Sequence, residues 1–138
     1  MMAAGATPAQ LRDAMPFAAL VGIDLLEASS ELVRGRLAWA PERCTAGDLL
    51  HGGALMALAD TCGGVCAFLN LPEGAQGTAT VESKTNFLRA VREGTITAST
   101  RPLHVGRTLV VLETELTRED GSLVAKVTQS QAIHYPRP

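Results

Sequence analysis

Aromatic residues are scarce in this 138-residue chain, which contains three Phe, one Trp and one Tyr. Apolar residues nevertheless make up 46% of the composition, so the core has to be built from aliphatic side chains. The chain also lacks a charge bias, because 12 basic and 14 acidic residues give a net charge of -2. Nucleic-acid-binding proteins usually carry a basic excess, and we therefore expect no nucleic-acid partner.

Cysteine is limited to three residues, and no C-x-x-C pair is present. This pattern is typical of a reducing compartment, so we expect a cytoplasmic protein in which Cys62 and Cys66 are small buried apolar groups. The sequence has too few ligands at zinc-site spacing, and we expect no metal and no cofactor. The motifs of zinc peptidases, P-loop enzymes and serine hydrolases with a nucleophile elbow are absent as well.

The N-terminal segment MMAAGATPAQLRD has no basic start followed by an apolar block, so it does not predict a signal peptide. We expect residues 1–10 to be largely disordered, since they are mostly Ala, Gly, Thr and Pro. A short helix is predicted from Pro8 to about Leu20, with a break at Pro16. The whole chain, residues 1–138, is expected to form a single domain.

The stretch that organises the chain is 51–69, HGGALMALADTCGGVCAFL. Its apolar residues recur at three- and four-residue steps, which predicts one long helix with Asp48 as a possible N-cap. Most other positions are small or apolar, so we expect the helix to be buried in the core. A membrane span is disfavoured because an acid such as Asp60 at the bilayer centre costs about 3 kcal/mol.

Asp60 is the exception within this apolar helix. A buried carboxylate is unfavourable unless it is paired, hydrated or used. Gly63 and Gly64 lie one turn away, and each glycine inside a helix costs about 1 kcal/mol relative to alanine. These small neighbours favour a functional site at Asp60, where another molecule can approach the backbone. The alternative is a core acid that a neighbouring group satisfies.

The remaining segments predict strands and turns. Alternating apolar residues predict strands at 32–39, 78–88, 95–103, 109–117 and 123–134. Pro102 is expected to interrupt the third of these, and 119–122 predicts a hairpin turn. A strand, a long helix and then four antiparallel strands indicate an α+β fold, in which one sheet wraps around the helix.

Four blocks of sequence resemble the hotdog-fold acyl-CoA thioesterases, in particular the phenylacetate-pathway (PaaI-type) group. They are H-G-G-x-x-x-x-L-A-D-T at 51–61, T-N-F-L-R-A-V-R-E-G at 85–94, H-V-G-R at 104–107 and D-G-x-L-V-A at 120–125. The resemblance covers about residues 20–134. It implies a hotdog fold, an antiparallel sheet of five to six strands around a long central helix.

The resemblance also implies residue roles. It makes Asp60 the catalytic carboxylate and the backbone N–H of Gly52 the donor to the thioester carbonyl, with His51 bordering the same pocket. Two positions depart from common family patterns. Thr45 stands where many relatives carry Gln or Asn, and Gly64 stands where some carry Ser or Thr.

The chemistry of thioester hydrolysis suits these positions. A helix N-terminus offers unpaired N–H groups, so Gly52 and Gly53 can stabilise negative charge on the carbonyl oxygen. Asp60 can activate water as a general base or attack the thioester to form a mixed anhydride, and both routes stay open. His51 either contacts the carbonyl or is a turn histidine bonded to backbone.

The spacing of the two key groups predicts a dimer. Gly52 and Asp60 are eight residues apart, which is about 12 Å along a helix. Both groups must lie within about 3 Å of the reacting atoms. A second, antiparallel copy would set Asp60 opposite Gly52 of its partner, so we expect at least a homodimer, and a homotetramer formed as a dimer of dimers.

The predicted substrate is an acyl-CoA with an aryl or medium-chain acyl group, which is hydrolysed to free acid and CoA. Candidate contacts for the CoA phosphates are Arg89, Arg92, His104, Gly106 and Arg107, although each charged group among them could equally be a solvated surface residue. Two alternatives remain. One is an acyl-thioester hydratase or dehydratase on the same fold, and the other is a non-catalytic acyl-CoA-binding module.

Overall fold

The computed structural model describes residues 5–138. Its helices are α1 (Pro8–Asp13), α2 (Pro16–Val21) and α3 (Gly52–Leu69), with a short 3-10 helix at Pro41–Arg43. Its strands are β1 (Asp24–Ala28), β2 (Val33–Ala38), β3 (Gly77–Phe87), β4 (Thr95–Val105), β5 (Leu109–Thr117) and β6 (Leu123–His134). The predicted α+β class, with an antiparallel sheet and one long helix, is confirmed.

The N-terminal segment is more ordered than its composition predicted. Residues 1–4 lie outside the described part of the chain, but residues 8–10 belong to α1 and do not form the loose segment that we expected. The side chain of Thr7 caps α1 by accepting from the N–H of Gln10 at 3.2 Å. The predicted break at Pro16 is confirmed, because α1 ends at Asp13 and a second helix begins at Pro16. This proline is the first residue of α2, where its missing N–H and fixed φ cost nothing.

The sheet has six antiparallel strands in the order β1-β2-β4-β5-β6-β3. The strand β1 was missed by the sequence pattern, because Asp24–Ala28 (DLLEA) shows no clear alternation and pairs with β2 through a bulge between Leu25 and Glu27. The expected end of β4 at Pro102 was also wrong. A register shift between Pro102 and His104 accommodates the proline, and the strand continues to Val105.

The core lies between α3 and the sheet. Leu58, Cys62 and Val65 of α3 have no exposed surface, and aliphatic side chains of the sheet cover them. The helix approaches β2 closely at Gly35, where an added Cβ would lie 2.7 Å from Sγ of Cys62. A core with few aromatic residues is thus closed by small residues at the points where elements cross.

The opposite face of α3 is not covered within the described chain. Four residues on this face are exposed: His51, Gly53, Met56 and Asp60. The expectation of a helix buried on most sides was therefore wrong for a single chain. Only 44% of the helix is buried, although its mean hydropathy of 1.5 and its length would suffice for a membrane span. The bare face combines small and apolar residues with a single acid.

Candidate active site

The start of α3 is organised by His51, its N-cap residue. Nδ1 of His51 accepts a hydrogen bond from the N–H of Gly53 at 2.7 Å. A ring nitrogen that accepts carries no proton, so a neutral imidazole has its proton on Nε2. Asp48 was the wrong N-cap. It lies in the preceding turn with a left-handed φ of 59°.

Gly52 is the first residue of α3, and its N–H has no acceptor among residues 5–138. The first N–H groups of any helix lack intrahelical partners. Of the two glycine donors predicted here, Gly53 is already bonded to His51, so Gly52 alone is free to bind another molecule. The ring of Phe87 lies against Gly52, 3.2 Å from the position that a Cβ would occupy.

A groove of about 360 Å³ opens beside this free N–H. We call it the Gly52 groove. It is lined by Thr45, Leu49, Leu50, Gly52, Leu55, Phe87, Leu88, Arg89, Ala90 and Val91. Thr45 and Arg89, both predicted site residues, therefore lie with Gly52. The guanidinium of Arg89 donates to the carbonyl of Leu123 at 2.5 Å, which anchors it at the rim.

Asp60 lies on the bare face of α3 and is exposed, not buried as the sequence predicted. Its Oδ1 accepts two hydrogen bonds, from Oγ1 of Thr80 at 3.1 Å and from Nε2 of Gln129 at 2.5 Å. No donor to its Oδ2 lies among residues 5–138. One carboxylate oxygen is therefore held by the sheet, and the other is free for chemistry.

The donors to Asp60 belong to a longer polar chain across β3 and β6. Nε2 of Gln131 donates to Oγ1 of Thr80 at 2.6 Å, and Oγ1 of Thr78 donates to Oε1 of Gln131 at 3.1 Å. Sequence reasoning missed both glutamines. The signal was present, because Gln129 and Gln131 occupy the alternate positions of β6 that face the core, where apolar residues are expected.

The two glycines of α3 near Asp60 have different roles. A Cβ on Gly63 would lie 1.8 Å from Oε1 of Gln129, so this glycine allows the helix to pack on the glutamine. A Cβ on Gly64 would meet nothing within 4 Å. Gly64 therefore leaves open space beside Asp60.

This open space is a second groove, of about 300 Å³, which we call the Asp60 groove. It is lined by Met15, Phe17, Ala18, Asp60, Thr61, Gly64, Thr78, Ala79, Thr80 and Gln131. Phe17 is 63% exposed and also lines a neighbouring groove that includes His51 and Gly53. Gly52 and Asp60 thus open into two different grooves of the same chain.

Comparison with known proteins gives the family. A family model described as the thioesterase superfamily matches residues 47–125, which include Gly52 and Asp60. The chain belongs to the thioesterase superfamily. The hotdog fold predicted by resemblance is thereby confirmed, because solved thioesterases of the superfamily superpose on the chain. The finer phenylacetate-pathway grouping stays a prediction.

Individual members of the superfamily resemble the chain over most of its length. A mutant thioesterase from Pseudomonas aeruginosa superposes with a TM-score of 0.87 at 26% identity, covering 94% of this chain and 95% of that one. A putative esterase from Deinococcus radiodurans is 35% identical over 82% of this chain and 75% of its own length. The 1,4-dihydroxy-2-naphthoyl-CoA hydrolase of Escherichia coli is 36% identical over 62% of each chain. Against several curated relatives, the match spans about three fifths of their length.

The predicted phosphate contacts of this thioesterase-superfamily chain do not form one cluster. Arg92 lies beside Thr95, where β4 begins, in a groove with charges of both signs. His104 and Arg107 lie at the other end of β4. The eleven residues of that strand separate the two groups by roughly 33 Å. The candidate phosphate contacts therefore lie in two separate groups on one chain, and their role stays a prediction.

The end of β4 forms a compact turn. The N–H of Gly106 donates to the carbonyl of Leu109 at 2.9 Å, and a Cβ on Gly106 would lie 2.7 Å from Nε2 of His104. The hydroxyl of Tyr135 donates to the carbonyl of Arg107 at 2.5 Å. The cationic side chain of Arg107 is exposed at this turn and can reach an anion from solvent.

The cysteines do not supply a nucleophile. Burial raises the pKa of the Cys62 thiol to about 12 and that of Cys66 to about 11. Both thiols are therefore protonated at neutral pH, and a protonated thiol is a poor nucleophile. Within residues 5–138, no three His, Cys, Asp or Glu side chains come together as a metal site. Asp60 is the carboxylate on the bare face of α3, where it lines an open groove and accepts two hydrogen bonds.

Proposed function

We propose that the protein hydrolyses acyl-CoA thioesters to the free acid and CoA. The observation that carries this proposal is the state of Asp60, with one oxygen held by Thr80 and Gln129 and the other free beside an open groove. Membership of the thioesterase superfamily and similarity to a CoA hydrolase support it. Water is the second substrate, the reaction needs no cofactor, and the free thiols of all three cysteines favour a cytoplasmic location.

The free oxygen of Asp60 can act in two ways. As a general base, it takes a proton from water while the water oxygen bonds to the thioester carbon, and the CoA thiolate then leaves. As a nucleophile, it displaces the thiolate to form a mixed anhydride, which water hydrolyses in a second step. In both routes, negative charge grows on the carbonyl oxygen, and the free N–H of Gly52 is the donor suited to stabilise it.

We further propose that each active site combines two chains. Gly52 and Asp60 open into separate grooves, and about 12 Å of helix separates them. The bare face of α3 carries Gly53 and Gly64 beside Asp60, so a second α3 can approach closely in the antiparallel direction. A two-fold axis would then place the Gly52 groove of one chain against the Asp60 groove of its partner, twice per dimer.

The edge strand β3 supports the same arrangement. It has 11 residues, and its outer side is unpaired within the described chain. Val81, in its middle, is 62% exposed. An exposed edge strand with an apolar side chain is a ready template for a strand of another chain. Antiparallel pairing of two β3 strands would join two sheets into one, and two such dimers would form the expected homotetramer.

Such a dimer would also bring together the two groups of candidate phosphate contacts, one group from each chain. Residues at the end of β3 adjoin Arg89, whereas Gly77 at its start pairs with His134 near the β4–β5 turn. Antiparallel pairing of β3 brings the end of one strand to the start of the other. Arg89 or Arg92 of one chain would then approach His104, Gly106 and Arg107 of its partner, and both groups could bind CoA phosphates.

The walls of the Asp60 groove indicate the acyl group. Met15, Phe17 and Ala18 give it an apolar side opposite Asp60, and Gly64 leaves its floor open. An aryl group or a medium-length alkyl chain matches this lining. Phenylacetyl-, benzoyl- and hexanoyl-CoA are therefore the substrates to test first, and the first of these follows the PaaI-type resemblance.

A thiol-release assay with these three acyl-CoAs tests the proposal. We expect the wild-type protein to release free thiol from at least one of them. Asp60→Asn keeps the shape of the side chain but removes the base, so its kcat should fall by about 10²- to 10⁴-fold. Tight binding without thiol release would indicate a binding module. Addition of water to the double bond of a 2-enoyl-CoA, tested separately, without thiol release would indicate a hydratase, and either result would reject hydrolysis.

A further inference from the structure

Gln129 is an unusual core residue of β6. It is only 2% exposed, and its Nε2 donates to Oδ1 of Asp60 at 2.5 Å. Its other polar atom, Oε1, is buried and finds no hydrogen-bond donor among residues 5–138. A buried acceptor without a donor is unfavourable, and native structures rarely retain one without a compensating role. The hydrogen bonding of the amide alone therefore does not explain why the side chain lies in this position.

The orientation of the amide follows from its surroundings. If the amide were turned by half a rotation, Oε1 would face the carboxylate of Asp60, and two acceptors would repel each other. With Nε2 toward Asp60, the acid gains a donor and Oε1 lies against α3 at Gly63. The carboxylate of Asp60 thus determines the orientation of the Gln129 amide. This orientation leaves Oε1 of Gln129 buried without a donor.

Gly63 provides the space that this orientation needs. An added Cβ there would lie 1.8 Å from Oε1 and 2.9 Å from Cδ of Gln129. Any other residue at this position would push the amide away from Asp60. A glycine inside a helix lowers helix stability, so its presence here is explained by its contact with Gln129.

We propose that Gln129 is a positioning residue for hydrolysis, which holds Oδ1 of Asp60 so that Oδ2 faces the thioester, with Gly63 as the space that admits it. This inference rests on the proposed function and deepens it. Gln129 itself is buried and does not line the Asp60 groove. It acts through the carboxylate, as the partner that keeps a catalytic group in its productive orientation.

Gln131 is a matched control for this role. It lies two residues along the same strand, is 1% exposed, and donates to Thr80 at 2.6 Å. Its side chain therefore reaches Asp60 only through Thr80. Replacing either glutamine by methionine keeps the volume and removes the amide. Gln131→Met breaks two hydrogen bonds and should cost at least as much stability as Gln129→Met, so a larger loss of kcat in Gln129→Met cannot come from unfolding.

The test compares Gln129→Met with Gln131→Met in steady-state hydrolysis. Gln129→Met should lower kcat by about 10- to 100-fold with KM within about twofold, because a misplaced catalytic group slows chemistry more than binding. Gln131→Met should lower kcat less. In an Asp60→Asn background, Gln129→Met should cause no further loss of kcat, because the two residues act as one unit. Equal losses for the two glutamines, or an undiminished loss in the Asp60→Asn background, would overturn the proposal.

Gly63→Ala tests the contact between α3 and the Gln129 amide by changing the residue on the helix. In the wild type, the added Cβ should lower Tm and kcat together, because it displaces the amide. In a Gln129→Ala background, the same substitution should raise Tm, because alanine favours the helix and its Cβ then meets no amide. A lower Tm in both backgrounds would show that Gly63 does not serve Gln129, and would contradict the proposed contact.

An NMR measurement, which does not depend on turnover, tests the positioning role of Gln129 separately from hydrolysis. The side-chain amide resonances of Gln129 should shift in Asp60→Asn by NMR, while those of Gln131 should move little. If wild-type protein releases no thiol from any acyl-CoA, the proposed function fails even when this shift is seen. If thiol is released but the Gln129 resonances do not shift, hydrolysis stands and the positioning role is rejected.

Discussion

Removing the backbone N–H of Gly52 tests its proposed role as the oxyanion donor. Gly52 is the first residue of α3, a position where proline is well tolerated because its ring fixes a helical φ. His51 before it has a φ of -62° and a ψ of 133°, which is compatible with a following proline. Proline at Gly52 therefore removes the free N–H and preserves the local backbone.

We expect Gly52→Pro to lower kcat by about 10²- to 10³-fold, the usual effect of removing one oxyanion donor. Gly52→Ala is the matched control. It keeps the N–H but adds a Cβ at the same tight distance of 3.2 Å from Phe87. Steady-state kinetics of both variants separate the donor from the steric effect. Equal losses of kcat in the two variants would show that the N–H is not used.

The identity of the central acid could be predicted from sequence, but its environment could not. A lone Asp60 in an apolar helix stands out in any reading of the chain. Its exposure depends on which side of α3 the sheet covers, and an almost uniformly apolar helix carries no sign of that. Gln129 was missed because it is 69 residues away in sequence, and only the packing of α3 against β6 brings it to the acid.

The helix α2 contributes to the wall of the Asp60 groove, so we expect it to affect the preference among acyl groups. It is anchored by the guanidinium of Arg43, whose Nε donates to the carbonyl of Val21 at 2.5 Å, and by buried Ala18. Phe17 projects from this anchored helix between two grooves on the bare side of α3. We therefore expect its ring to limit how far the proposed acyl group can extend.

We expect Phe17→Ala to shift substrate preference toward longer acyl chains. The kcat/KM for phenylacetyl-CoA should fall by about tenfold through the lost apolar contact, while that for decanoyl-CoA should rise as the two grooves join. Leu20→Ala is the control, because Leu20 is 80% exposed on the same helix and lines only the groove without Asp60. A parallel change in both variants, or no change in chain-length preference, would remove Phe17 as a determinant.

Elements with a regular pattern were predicted well, and those at sites of irregular backbone were not. The helix α3 and the strands β5 and β6 were located nearly to the residue, because their apolar periodicity is clear. β1 lacks alternation, and β4 passes through Pro102 only because a bulge absorbs it. The break at Pro16 was predicted, but the second helix that begins at this proline was not resolved as a separate element.

At the scale of the whole molecule, the two groups of the proposed site lie in separate grooves of one chain. Gly52 lines one groove and Asp60 lines the other. The expectation of a second chain comes from helix geometry alone and stays a prediction. The exposure of Asp60 on the bare face of α3 could not be predicted from the sequence.

The proposed two-chain site is tested most directly by mixing two inactive variants. Asp60→Asn retains the donor, Gly52→Pro retains the acid, and each pure dimer has defects in both of its sites. After unfolding and refolding together in equal amounts, half of the dimers would be mixed. One of the two sites in each mixed dimer would be intact, so about a quarter of wild-type thiol release should return. If the donor and the acid instead came from the same chain, every site would carry one defect, and no activity above that of the separate variants would contradict the two-chain site.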